Sequence, residues 1–358
     1  MKATAKIFSF FIGMLCPCLI SAQGAGNADK QIQEKTETLL DRIKQHVNIG
    51  GYAHIGYVYN DFDPASGKST NSFEITRVML TADIKITDRL NAFCMYDLAK
   101  GTLHEIWAEY AFAPAFKLKA GQFKTPYTIE SNMALSVVEQ IRGAQAVQYM
   151  AGINGSDPSY GPFAGRDIGI MASGSLLNVG SHDLFAYSIG VFNGQGINQK
   201  DGNKRKDVAG MVSVYPLKDW RLAGSFQIGQ GHAYADNPYG LFKKGDDYKR
   251  NRWSVGTEYF HKYLTLRSEY LRGKDSSANS QGGYVMASIH LHPKLDLMLS
   301  YDVLNKNLKT CDKQTDYIAG LQWNIYRKCR FEIQYMHSRR DKGIGNSNLL
   351  LTQLQVGF

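Results

Sequence analysis

The sequence predicts an all-β chain, a transmembrane antiparallel β-barrel of about 16 strands with a short N-terminal periplasmic helix in front. Three observations predict it. After Asn48, apolar and polar residues alternate with period two down to the last residue. The links between the alternating runs are by turns tight and long. The only long apolar run, Ile7 to Ile20, sits at the N-terminus, and no later stretch approaches the roughly 20 residues a spanning helix needs. A polytopic helical membrane protein is therefore excluded. With 44% hydrophobic and 20% charged residues, so is a disordered chain.

Taken in order, Lys2 and Lys6 precede that apolar run, and Ser21-Ala22-Gln23 follows it with small residues. Residues 1–22 read as a secretory signal peptide cut after Ala22. Leu15 and Pro17 stand before Cys16 and Cys18, so neither cysteine sits in a lipidation context. Cys94, Cys311 and Cys329 remain, too few and too scattered for a disulfide framework. Cys94 is expected to face lipid. Residues 23–47 form an N-terminal periplasmic helical segment, with the stripe Ile32, Leu39, Leu40 and Ile43 over 28–45. A frayed linker and a short coiled-coil stem both suit that stripe, because one and a half heptads do not decide.

The barrel is expected over 48–358. Its segments run 48–60, 71–86, 88–100, 102–113, 115–124, 165–175, 181–193, 206–216, 219–230, 250–261, 263–273, 281–292, 294–305, 315–326, 328–340 and 347–358. Links at Thr87, Pro114, 176–180, 216–219, Lys262, Pro293 and Arg327 are short. Those at 61–70, 125–164, 194–205, 231–249, 274–280, 306–314 and 341–346 are mostly longer and rich in Gly, Asn, Asp and Lys. Short turns at one end and long loops at the other are how outer-membrane barrels are built, and an even count puts both termini at the short-turn, periplasmic end.

Alternation assigns the faces. Trp220, Leu222, Phe226 and Ile228 oppose Arg221, Ser225 and Gln227; Leu295, Leu297, Leu299 and Tyr301 oppose Asp296, Met298, Ser300 and Asp302. A charge at mid-depth in lipid costs about 2–4 kcal/mol, so the charged face must look inward. On this register Arg77, Lys85, Lys117, Lys119, Arg221, Arg252, Arg267 and Arg330 point into the lumen. So do Asp83, Asp97, Glu105, Glu109, Glu258, Glu269, Asp296, Asp302 and Glu332, which leaves the wall nearly balanced in charge. Aromatics such as Phe112, Phe116, Trp220, Tyr263, Trp323 and Tyr326 gather at segment ends, as interfacial girdles do.

The link 125–164 is too long to be idle. Its apolar centre, Met133 to Ile141, is expected to pack on the inner wall, with Arg142 and Gln145 toward water. Lys124, Glu130, Glu139, Arg142 and Gln145 are the expected constriction residues. Arg77, Lys117, Lys119, Arg166, Arg221, Arg252, Arg267 and Arg330 are expected to line the pore.

Gly121-Gln122-Phe123-Lys124-Thr125-Pro126-Tyr127, Gly165-Arg166-Asp167-Ile168-Gly169, Gly190-Val191-Phe192-Asn193-Gly194 and Lys206-Asp207-Val208-Ala209-Gly210 occur in that order. Together they resemble the phosphate-selective porin O and P family over about residues 48–358. The resemblance implies a sixteen-stranded, trimeric outer-membrane channel whose third loop folds inward. The ending Leu354-Gln355-Val356-Gly357-Phe358 looks like the signal by which such barrels meet their assembly machinery.

The expected function is passive diffusion of small hydrophilic solutes or ions, anions such as phosphate among the candidates, without a cofactor, metal or nucleic acid. The alternatives are an adhesin or structural barrel, or a barrel enzyme. His290 and His292 share a strand face with no third ligand in view, and 199–207 lacks the closing Glu of a calcium loop. The basic runs Lys204-Arg205-Lys206 and Lys243-Lys244 suit solvated charge or anionic lipopolysaccharide.

Overall fold

The computed structural model describes residues 46–358, except 64–65, 154–155, 160, 238–239 and 342–344. The expected leader and the expected helix over 28–45 lie outside the described residues.

Sixteen strands close into one barrel: β1 (Val47–Asp63), β2 (Lys68–Lys85), β3 (Leu90–Asp97), β4 (Thr102–Ala113), β5 (Phe116–Lys124), β6 (Arg166–Asn178), β7 (Asp183–Phe192), β8 (Asp207–Leu217), β9 (Trp220–His232), β10 (Asp247–His261), β11 (Leu264–Asp275), β12 (Ala278–His292), β13 (Leu295–Asn305), β14 (Lys313–Tyr326), β15 (Cys329–Arg340) and β16 (Ser347–Gly357). Each strand pairs antiparallel with its sequence neighbours, and β1 closes on β16 from Tyr52 opposite Gly357 to Asn60 opposite Leu349. In hydrocarbon every backbone N–H and C=O needs an internal partner, and closure alone leaves no edge.

The faces fall where alternation puts them. On β15, Phe331, Ile333 and Tyr335 are exposed on the outside, while Arg330, Glu332 and Gln334 are buried within. Cys94 lies opposite Ala82 and Ile106 on the lipid face, and Cys94, Cys311 and Cys329 are free thiols. His290 pairs with Asp296 at 2.7 Å, and no metal cluster occurs among the described residues.

Two long links are shorter than expected. The β1–β2 hairpin continues to Asp63 opposite Lys68, and β11 and β12 run on to Asp275 opposite Ala278. At the tip of the β1–β2 hairpin both faces are exposed, so Ser69 and Asn71 are no bar to pairing, and on β11 the buried Asp275 finds its partner in Arg252. Polarity there marks depth, not the end of a strand.

The seam between β1 and β16 has a tight spot. Phe358 N–H donates to Gly51 O (3.0 Å) and Gly51 N–H to Phe358 O (3.3 Å). A Cβ on Gly51 would stand 2.4 Å from Met79 O and 2.8 Å from the Phe358 ring, whereas one on Gly50 would meet nothing nearer than 3.4 Å. Gly51→Val should thus destabilise the closed barrel by about 1–3 kcal/mol through overpacking. In heat-modifiable electrophoresis it should unfold at lower temperature than Gly50→Ala; equal behaviour of the two variants would contradict this account of the seam.

Candidate functional site inside the barrel

Residues 125–165 connect β5 to β6 and fold into the lumen. They hold two short helices, α1 (Ile129–Asn132) and α2 (Gln145–Ala151). Thr128 caps α1, its Oγ1 accepting from Ser131 N–H (3.1 Å). The segment is fastened to the wall by a row of inward side chains. Glu269 on β11 accepts from Ile129 N–H (2.6 Å) and Glu130 N–H (2.9 Å), and Tyr284 OH supports it at 3.0 Å. Gln334 on β15 accepts from Ile141 N–H (3.0 Å) and donates to Glu139 O (2.6 Å). Arg330 donates to Val138 O (2.7 Å), and Gln140 donates to Ser300 Oγ (2.8 Å).

Charge pairs complete the attachment. Arg267 bridges Glu139 of the segment (2.7 Å) and Glu258 of β10 (2.8 Å). Arg252 bridges Asp157 (2.9 Å) and Asp275 (2.7 Å) and donates to Met150 O. Arg166 pairs with Glu105 (2.8 Å) and holds Ala164 O (2.8 Å). Arg250, on the same face as Arg252 and two residues away, pairs with Asp207 (2.7 Å) and lies over the Phe163 ring.

Beneath these polar contacts runs an apolar one. Ala146, Val147 and Met150 of α2 are fully buried in one cluster with Leu271, Tyr284, Met286, Met298 and Leu304 of β11 to β13. The run Met133 to Ile141 meets the wall only in part: Val138 is buried and Ile141 packs against this cluster, Val137 is exposed, and most of the apolar contact comes from 144–151. The signal in the sequence was the spacing of Ala146, Val147 and Met150, muted by short alanines.

Opposite α2 the lumen stays open. A cavity of about 860 Å³ lies between the segment and the inner faces of β1, β2 and β14 to β16, lined among others by Glu74, Arg77, Arg142, Asp316 and Arg340. A far smaller space of about 20 Å³ shares Arg77, Ile141, Arg142 and Gln148 with it and adds His54 and Gln140.

The expected residues divide accordingly. Arg142 is exposed at the cavity. Gln145 also borders it, yet its backbone N–H donates to Asp302 (2.6 Å) and its amide to Asp302 O (3.2 Å), so it pins the segment as well. Glu130 is buried and accepts from Ala144 N–H (2.8 Å); burial pushes its carboxyl up to about 7. Glu139 is taken up by Arg267, and Lys124 donates to Met133 O. Among the expected pore-lining residues, Arg252 and Arg267 are 3% and 1% exposed: they face inward but lie under the segment, away from water. Arg166 and Arg330 are buried too. Lys119 pairs with Glu109 (3.3 Å) over the Trp107 ring, and Arg221 donates to Ser213 Oγ (3.0 Å). Arg77 borders the cavity, and Lys117 stands half-buried on the inner face of β5.

Set beside known proteins, residues 47–157 match the family model described as phosphate-selective porin O and P. The match runs from β1 into the lumenal segment, and three of the four motifs behind the resemblance lie beyond it. No curated protein matches the chain. Among solved structures, the anion-selective porin from Comamonas acidovorans superposes with a TM-score of 0.64 at 14% identity, over 87% of this chain and 99% of that one. The trimer form of OmpT, an outer-membrane protein of Vibrio cholerae, gives 0.65 at 11% identity over 87% and 99%. OmpF of Salmonella typhi, in complex with daunomycin, gives 0.60 at 14% over 87% and 97%. The fold is that of the outer-membrane porins. The family match agrees with the resemblance read from the motifs.

Breaking one partner of a buried ion pair strands the other and costs about 3–5 kcal/mol. Arg267→Met should therefore loosen the segment, lowering the unfolding temperature and opening 131–158 to added protease. Lys117→Met, whose side chain has no ion pair among the described residues, should do neither. Protease resistance equal to wild type in the Arg267 variant would mean that the pair is not a fastener.

Proposed function

We propose that the chain is a passive diffusion porin of the bacterial outer membrane, passing small hydrophilic solutes down their gradient, with anions such as phosphate favoured. One observation carries the reading. The segment inside the barrel leaves a cavity whose charged lining, Arg77, Lys100, Arg142, Lys306 and Arg340 against Asp63, Glu74 and Asp316, has an excess of cations. The near-balance of inward charges overall does not contradict this, because Arg252, Arg267 and Arg330 and their carboxylates are spent on one another. What an ion meets is set by the groups left at the water. The trimer form of the Vibrio cholerae protein supports a homotrimer here as well. An outer-membrane barrel of this kind would have lipopolysaccharide as its outer-leaflet neighbour.

A short, water-filled narrowing dominates the resistance of a pore and sorts ions most strongly. Replacing 131–158 by a short Gly/Ser link should raise single-channel conductance in planar bilayers, in a barrel shown by heat-modifiable mobility to be folded. Arg142→Glu should move the reversal potential in a salt gradient toward cations, and by more than Lys204→Glu in the β7–β8 loop. A folded wild-type barrel that conducts no current would instead mark a plugged, structural barrel.

A further inference from the structure

The outer face carries cations that the channel does not use. Near the extracellular ends of β10 and β11, burial alternates strictly: Tyr248, Arg250, Leu271, Gly273 and Asp275 are buried inward, whereas Lys249, Arg272 and Lys274 are exposed outward. Arg272 lies opposite Trp253 and Gln281, and Lys274 opposite Asn251 and Asn279, so one cation stands level with an aromatic and the next lies above it among amides. Trp253 packs on Tyr270 at 5.6 Å, and Tyr301 on Tyr317 at 5.4 Å, as a girdle at the outer interface. Lys249, Lys274 and Lys309 also border a groove of about 750 Å³ with Ser276, Ser277 and Asn279.

Inside the barrel Arg166, Arg250, Arg252, Arg267 and Arg330 each have a carboxylate. Outside, none of Lys249, Arg272, Lys274 or Lys309 has an ion pair or a side-chain hydrogen bond among the described residues. Two carboxylates share the groove, Asp246, which accepts from Lys243 N–H (2.8 Å), and Asp247, which faces His232 (2.8 Å), against Lys249, Lys274 and Lys309. The patch is also one-sided. Outward residues toward the same end of β6 to β9, such as Ile170, Val191, Val208 and Ile228, are exposed and apolar.

We propose that this patch binds the phosphate groups of the glycolipid that forms the outer leaflet. The proposal rests on the outer-membrane placement given above and refines it, moving the lipid contact from the basic loops to the strand face of β10 and β11. Depth selects the ligand. A lipid-borne phosphate is held at the level of the headgroups, at and just above the aromatic girdle, where Arg272 and Lys274 stand. The lysines supply charge, Arg272 a two-pronged donor, and Ser277 and Asn279 further hydrogen-bond donors.

The test uses lipid-free protein reconstituted in phosphatidylethanolamine vesicles, with bisphosphorylated lipid A added as the probe. Binding should be about 5-fold weaker for each cation removed, so on the order of 100-fold weaker for K249Q/R272Q/K274Q. A double variant in another loop, K204Q/R205Q, should bind like wild type. Equal binding by wild type and the triple variant would overturn the proposal. So would equal binding of dephosphorylated lipid A, or displacement by inorganic phosphate at the concentration of the lipid, since the latter would assign the patch to the free ion. Conductance measured on the same samples separates the two readings: a wild type that binds lipid A but passes no current refutes the channel and leaves the lipid site standing.

Discussion

Closure of β1 on β16 is the constraint from which the rest follows. Lipid offers no hydrogen-bond partner, so the sixteen strands must satisfy one another around a full circle. Once closed, the sheet has one face for hydrocarbon and one for whatever fills the lumen. Alternation then commits every second residue to that interior, and charges that would be ruinous outside become usable within. The glycine that lets Phe358 and the carbonyl of Met79 approach the same spot belongs to this constraint, because it sits where the circle is joined.

The interior is not uniformly watery. On the side of β10 to β13 the folded-in segment covers the wall, and Leu271, Met286, Met298 and Leu304 pack against α2 as a core does. Arginines and carboxylates in that zone act in opposed pairs, Arg252 with Asp157 and Asp275, Arg267 with Glu139 and Glu258. Buried pairs add little net stability, but each one forbids the alternatives in which a charge is left alone. They hold the segment in one place, and the apolar cluster supplies the adhesion.

Much of this was legible in the chain itself. Strand faces followed from alternation, as Phe331, Ile333 and Tyr335 against Arg330, Glu332 and Gln334 show. The inward fate of 125–164 followed from its length and apolar content. Two things did not follow. Which stretch of the segment touches the wall depends on a short helix whose contact face is built partly of alanine, and alanine marks neither side strongly. Which inward charges meet water depends on pairings between residues more than a hundred positions apart, Glu139 with Arg267 for instance, and no local pattern reports those. Arg250 and Asp207 were within reach of the register, yet their pairing was not.

The off-centre seat of the segment divides the lumen into a dry sector and a wet one. The open space borders the seam strands β1 and β16. Solutes entering it would brush past the strands that close the circle. Inward positions packed in the cluster, Leu271 and Met298 but also Ile318, Met336 and Leu351, should accept or reject substitutions by the packing rules of a soluble core, while Glu74, Arg77 and Arg340 at the cavity answer to permeation. A single barrel wall is thereby subject to two kinds of selection.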